Sequence, residues 1–156
     1  MRVVVAIVFS ILFFTLLNPI VSVADWKEDQ AEADQYYDDG KYGKAFNMYY
    51  KLAKMGVSHS QDMVSRMYES GQGKKMNLEE AYAWSVLAAQ RGASEMIERR
   101  DGLLERTSDK AKAEKKASKL MSKYGREALQ NKADSKARLK HNTKSGGCTG
   151  SKLGCR

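Results

Sequence analysis

Residues 78–92 read LEEAYAWSVLAAQRG, and the reading of this stretch decides the fold. It has the form of one amphipathic helix in which Ala81, Ala83, Ala88 and Ala89 give close-packing faces beside a single large anchor, Trp84. Asn77 can cap the N-terminus, with Glu80 placed to close a capping box. Glu79 and Glu80 suit the positive end of the helix dipole, Arg91 suits the other end, and Gly92 supplies a left-handed stop. The stretch also has an echo upstream. Residues 45–56 (AFNMYYKLAKMG) superpose on 81–92 without a gap, so that Ala45 falls on Ala81, Met48 on Trp84, Ala53 on Ala89 and Gly56 on Gly92. The offset is 36 residues. Self-similarity at such a period marks a repeat architecture.

The same punctuation recurs on either side. Tyr36 and Tyr37 lead to Gly40, which ends a first helix, and a second runs from about Gly43 to Met55 and stops at Gly56. Ser58 with Gln61 reads as another capping box, opening a helix through Val64, Met67 and Tyr68 to Gly71. Ser94 starts a fifth helix through Met96, Ile97, Leu103 and Leu104. Ser108 caps a sixth, with Ala113, Ala117, Leu120, Met121 and Tyr124 on one stripe. No proline follows Pro19, and no stretch alternates with period two. The expected fold is all-α: a short α/α solenoid of three antiparallel helix pairs, 26–55, 59–91 and 95–124. Such pairs cannot bury their apolar faces alone, so neighbours stack. On this division, 25–92 holds two repeats, 93–130 a more charged capping pair, and 131–156 a basic tail, frayed or disordered.

Tyr68-Glu-Ser-Gly71-Gln-Gly73, then Asn77-Leu-Glu-Glu-Ala81, Trp84-Ser, Ala88-Ala89 and Gly92, resemble the Sel-one-like repeat, a relative of the tetratricopeptide repeat with a longer inter-helix loop. The resemblance implies a right-handed solenoid that binds proteins. It assigns structural roles to Tyr37, Gly40, Ala45, Gly56, Tyr68, Gly71, Ala81, Trp84, Ala88 and Gly92. The chain departs from the family pattern at Ser60 and Ser65, where alanine and glycine are usual, at Lys74 for valine, and at Ser85 for a second aromatic. The preceding unit, with its short turn from Gly40 to Gly43, is closer to a tetratricopeptide repeat.

The ends are of different character. Met1-Arg2, an apolar run over residues 3–17, the break at Asn18-Pro19 and the small-residue exit Ser22-Val23-Ala24 form an export signal over residues 1–24. The alternative is an uncleaved inner-membrane anchor over 3–24. Export implies a periplasmic or extracellular protein. Cys148 and Cys155, close together in a glycine-rich end, can then bridge each other. Charge is divided unevenly: residues 106–156 carry a net +11 and residues 1–105 a net −3. Lys132, Lys136 and Lys140 repeat every four residues as a basic stripe. An anionic envelope polymer or lipid headgroup suits that stripe. Nucleic acid does not, because no aromatic follows Tyr124 and export removes the opportunity.

No catalytic constellation is visible. His59 and His141 are far apart in sequence, and His59 near Asp62 is better read as a solvated histidine in a helix's first turn. Asp38-Asp39 and Glu79-Glu80 are adjacent pairs that point in different directions on a helix. Gly71-Gln-Gly73-Lys-Lys75 lacks the spacing of a phosphate loop. No metal site and no cofactor are called for. By analogy with helix-pair solenoids, whose first helices line the concave side, the candidate partner-binding residues are Gln30, Asp34, Asp62 and Arg66, although Asp62 and Arg66 stand four apart and can pair with each other. The expected function is an exported protein–protein interaction module or scaffold at the bacterial envelope. The alternative is attachment through the basic tail. A hydrolase is a third reading, carried only by activities described for some members of the resembled family.

Overall fold

The computed structural model describes residues 25–91 and 93–145. The expected export signal over residues 1–24, the expected stop at Gly92 and the expected Cys148–Cys155 pair lie outside the described residues. Seven α-helices occupy that span: α1 (Asp25–Asp38), α2 (Tyr42–Lys54), α3 (Ser58–Ser70), α4 (Leu78–Ala88), α5 (Ser94–Arg106), α6 (Lys110–Tyr124) and α7 (Arg126–Ser145). A 3₁₀ turn, Ala89–Arg91, finishes α4 in place of a continuous helix to Gly92.

Glycine turns set the period. Gly40, Gly56 and Gly71 take positive φ, and after each the next N–H reaches back five residues: Lys41 to Tyr36 O (2.9 Å), Val57 to Leu52 O (3.2 Å) and Gln72 to Met67 O (3.0 Å). Each helix therefore closes its last carbonyls and reverses within a few residues. Gly56 also lies under α7, where a Cβ would come within 2.8 Å of Leu129 Cδ1.

The helix starts are less local than the sequence implies. Asn77 does cap α4, its Oδ1 accepting from Glu80 N at 2.9 Å, but Glu80 does not complete the box. Asn77 N donates instead to Tyr68 O (2.9 Å), and the Glu80 carboxylate takes Lys116 Nζ (2.7 Å). At α3 the expected capping box is absent. Ser58 Oγ donates to Ala88 O (3.1 Å) and Gln61 Nε2 to Ala53 O (3.1 Å), so both side chains join α3 to neighbouring helices. Asp109, not Ser108, caps α6 by accepting from Lys112 N at 2.9 Å. Ala93, which has no capping side chain, precedes α5.

The first four helices form two antiparallel pairs, and α4 is the common wall of the second half, with α3, α5 and α6 all packed on it. α6 lies along α4 and meets α5 only briefly, so the last pair is splayed over α4. The core has two parts. Ala33, Ala45, Phe46, Tyr49, Ala53, Val64, Met67, Trp84 and Leu87 fill the space between α1 and α4. Ala81, Tyr82 and Ala83 meet Leu103, Ala113 and Ala117 on the other side of α4. The alanines let helix backbones approach closely, and Trp84, 1% exposed, fills the gap they leave.

Trp84 meets Tyr50 edge-on (5.4 Å between centroids) and stacks on Tyr124 (6.1 Å), while Phe46 stacks on Tyr50 (5.7 Å) and meets Tyr68 edge-on (5.2 Å). An unbroken line of rings thus joins α2, α3, α4 and α6. Such aromatic pairs add about 0.5–1.5 kcal/mol each beyond the area they bury.

Candidate functional site

The four concave-face candidates fall into two groups with different surroundings. Gln30 and Asp34 stand on α1, half-buried, across from the start of α3. Asp34 Oδ1 accepts from Tyr49 Oη at 2.6 Å and lies 3.4 Å from His59 Nε2. His59 therefore faces Asp34 on the neighbouring helix, and not Asp62 one turn along its own. Burial pushes the Tyr49 phenol far above its ordinary range, and its hydrogen bond to Asp34 adds to that. It stays a neutral donor that fixes the carboxylate. Gln30 and His59 line one hollow of about 450 Å³ with Trp26, Met55 and Arg91.

Asp62 and Arg66 sit in a separate ionic network. Asp62, only 7% exposed, accepts from Arg66 Nε at 2.7 Å and from Arg99 Nη1 at 3.1 Å. Arg66 also reaches Glu95 at 3.3 Å. One turn pair along, Glu69 takes both Arg99 and Arg106. Burial acts to raise the Glu69 carboxyl, but the hydrogen bonds and charges of Arg106 and Arg99 outweigh it and hold it below the ordinary value. Arg99 Nη1 further donates to Ser65 Oγ at 3.0 Å, and Ser65 Oγ donates to Ala81 O at 2.6 Å. These groups bind α3 to α4 and α5.

No family model matches the chain, and no curated protein matches it. Among solved structures, the chain is similar to the crystal structure of a protective antigen present in uropathogenic Escherichia coli strains and displaying an SLR fold. The TM-score is 0.52 and the identity 23%; the match covers 74% of this chain and 23% of the antigen. The chain has the Sel-one-like repeat fold.

Within that fold the repeat positions have definite places. Ala45, Ala81 and Ala88 are fully buried where helices cross, and Trp84 lies among them. Tyr37 Oη donates to Gln72 Oε1 at 2.9 Å, tying the end of α1 to the loop after α3. Tyr68, partly buried, packs on the core through Phe46. Two departures from the repeat pattern differ in outcome. Ser65 is fully hydrogen-bonded, whereas Ser60 Oγ is buried without a partner among the described residues, a defect of about 1–3 kcal/mol.

Three ionic residues escaped the sequence reading: Glu69, Arg99 and Arg106. Their signal was the Sel-one-like period itself. Asp62 to Arg99 and Glu69 to Arg106 are each 37 residues apart, close to the 36-residue offset, so the repeat stacks one first helix on the next.

Chemically, these arrangements suit recognition. The described residues contain no group of three or more His, Cys, Asp or Glu placed to hold a metal ion. The Asp34–His59 pair is close to half exposed on both sides, which leaves its contact weak. No described helix is long and apolar enough to cross a membrane.

Proposed function

We propose that the protein is an exported helical-repeat module that holds a protein partner at the bacterial envelope. The observation that carries this reading is the accessible cluster of Gln30, Asp34 and His59 at the mouth between α1 and α3, on a Sel-one-like repeat scaffold. The similar solved structure is described as a protective antigen, which supports an exported protein. On this reading Gln30 and Asp34 contact the partner, while Asp62 and Arg66 hold the shape of the scaffold.

A second reading has one specific observation behind it. From residue 130 to residue 140 every residue of α7 is exposed, so Lys132, Lys136, Arg138 and Lys140 stand on an arm clear of the core. That arm suits an anionic polymer or lipid headgroup. A salt titration of binding to an envelope fraction separates the two. Attachment through the helical body persists above a few tenths molar salt, at Debye lengths of about 3–5 Å, whereas attachment through the arm collapses.

A further inference from the structure

A second hollow, about 250 Å³, adjoins the one that contains Gln30; the two share Met55, Gly56 and Arg91 along their walls. Together they run over the α2–α3 turn, from the start of α1 to the first turns of α7. Their walls have a consistent chemistry. Trp26, 38% exposed, offers apolar surface at one end, Met55, 57% exposed, offers it at the shared centre, and the partly exposed Leu129 offers it at the other end. The side chain of Gln30 supplies an amide donor and acceptor of the kind a peptide backbone uses, and Gln90, whose Oε1 accepts from Arg126 N at 3.0 Å, supplies its amide donor. The cationic side chains are Arg91 and Arg126, the imidazole of His59 lies beside them facing Asp34, and no carboxylate lines either hollow among the described residues. Arg126 is occupied, its Nη2 donating to Gln90 O at 2.9 Å. Arg91 is exposed at the shared centre and has no ion pair among the described residues.

We propose that these hollows form one trough that seats an extended segment of a partner protein, with an apolar side chain against Trp26 and Met55 and a neighbouring carboxylate on Arg91. This rests on the reading of the chain as a protein-interaction module, and it names the partner's chemistry and the place where it sits. Charge complementarity selects the occupant: an exposed arginine without a counter-ion, set between apolar walls that lack acids, pairs with an acidic group and not a basic one. Exposed tryptophan and arginine are also the residue types that dominate binding energy at interfaces. The concave-face network around Asp62, by contrast, is already closed on itself.

The test is selection from a random dodecapeptide display library on the full chain, followed by titration of the selected peptides. Trp26 reports directly, because the only other tryptophan, Trp84, is 1% exposed. The expected result is a set of peptides with an aliphatic or aromatic residue next to Asp or Glu that shift Trp26 emission. Trp26→Ala and Arg91→Gln should each weaken them about tenfold or more. Arg91→Glu should turn the preference toward basic peptides, with the circular dichroism of every variant unchanged. Peptides that bind but ignore all three substitutions would overturn the trough and leave the interaction reading standing. Failure to select any peptide that binds would overturn both.

Discussion

The indole of Trp84 lies nearly parallel to the ring of Tyr124, with 14° between their planes and 6.1 Å between centroids, and so couples the second repeat to the helix that closes the solenoid. The same indole is met edge-on by Tyr50 of α2, at 68°. Trp84→Ala removes the shared member of both contacts and should cost about 3–5 kcal/mol in denaturant unfolding. A double-mutant cycle with Trp84→Leu and Tyr124→Leu should show a coupling of about 0.5–1.5 kcal/mol. Additive effects would mean that the stacked ring pair contributes nothing to holding α6 on α4.

Arg99 is the joint of the ionic network, touching Asp62, Glu69 and Ser65. Arg99→Leu removes the largely buried cation shared by Asp62, Glu69 and Ser65, leaving Arg66 alone on Asp62 and Arg106 alone on Glu69, and should destabilise by about 3 kcal/mol. Arg66→Leu also takes a partner from Asp62, but the Arg66 side chain is nearly half exposed, its other partner Glu95 faces solvent and Arg99 still holds Asp62, so it should cost less, about 1 kcal/mol. Urea unfolding of the two variants checks the ordering.

Glu69 gives the network a pH dependence of known sign. Its carboxyl is lowered in the folded state, so its contribution is complete above the ordinary value of 4.5 and is lost as pH falls through the folded value. Glu69→Gln should lower stability near neutral pH and flatten the loss of stability on acidification below about pH 4.5. Thermal unfolding of both proteins across that range is the measurement.

The glycines should separate by what surrounds them. A Cβ at Gly73 would stand 2.4 Å from the Tyr42 carbonyl oxygen, one at Gly56 2.8 Å from the movable end of Leu129, and one at Gly71 no nearer than 3.5 Å to anything. All three have positive φ, so alanine costs about 1–2 kcal/mol at each from conformation alone. Gly73→Ala should be worst because a backbone must shift, then Gly56→Ala, then Gly71→Ala. Melting temperatures in that order are expected.

The helices, their glycine stops and the core were legible in the sequence because each rests on local periodicity. Ala45, Ala81 and Trp84 are buried where a repeat at that offset places them. Side-chain partners were not legible in the same way. Ser58 and Gln61 have the spacing of a capping box, yet their hydrogen bonds go to Ala88 and Ala53 on packed neighbours. His59 stands near Asp62 in sequence, yet Asp34 across the helix pair is its contact. A capping pattern records what a side chain can do locally; packing decides what it does. The docking of α7 was hidden for the same reason, since only the folded chain brings Arg126 N to Gln90 Oε1 at 3.0 Å and Leu129 over Gly56.

The most direct test of whether the helical body or the basic arm holds the partner is retention of an envelope partner by the full chain carrying Lys132→Gln, Lys136→Gln and Lys140→Gln together. These three positions are exposed on α7, and the substitutions leave the solenoid core untouched. Retention within about threefold of the unsubstituted chain is the predicted result, since groove-driven binding owes little to a distant screened charge. Loss of the partner in the triple variant, with its helical content unchanged, would contradict it and place the function on the arm.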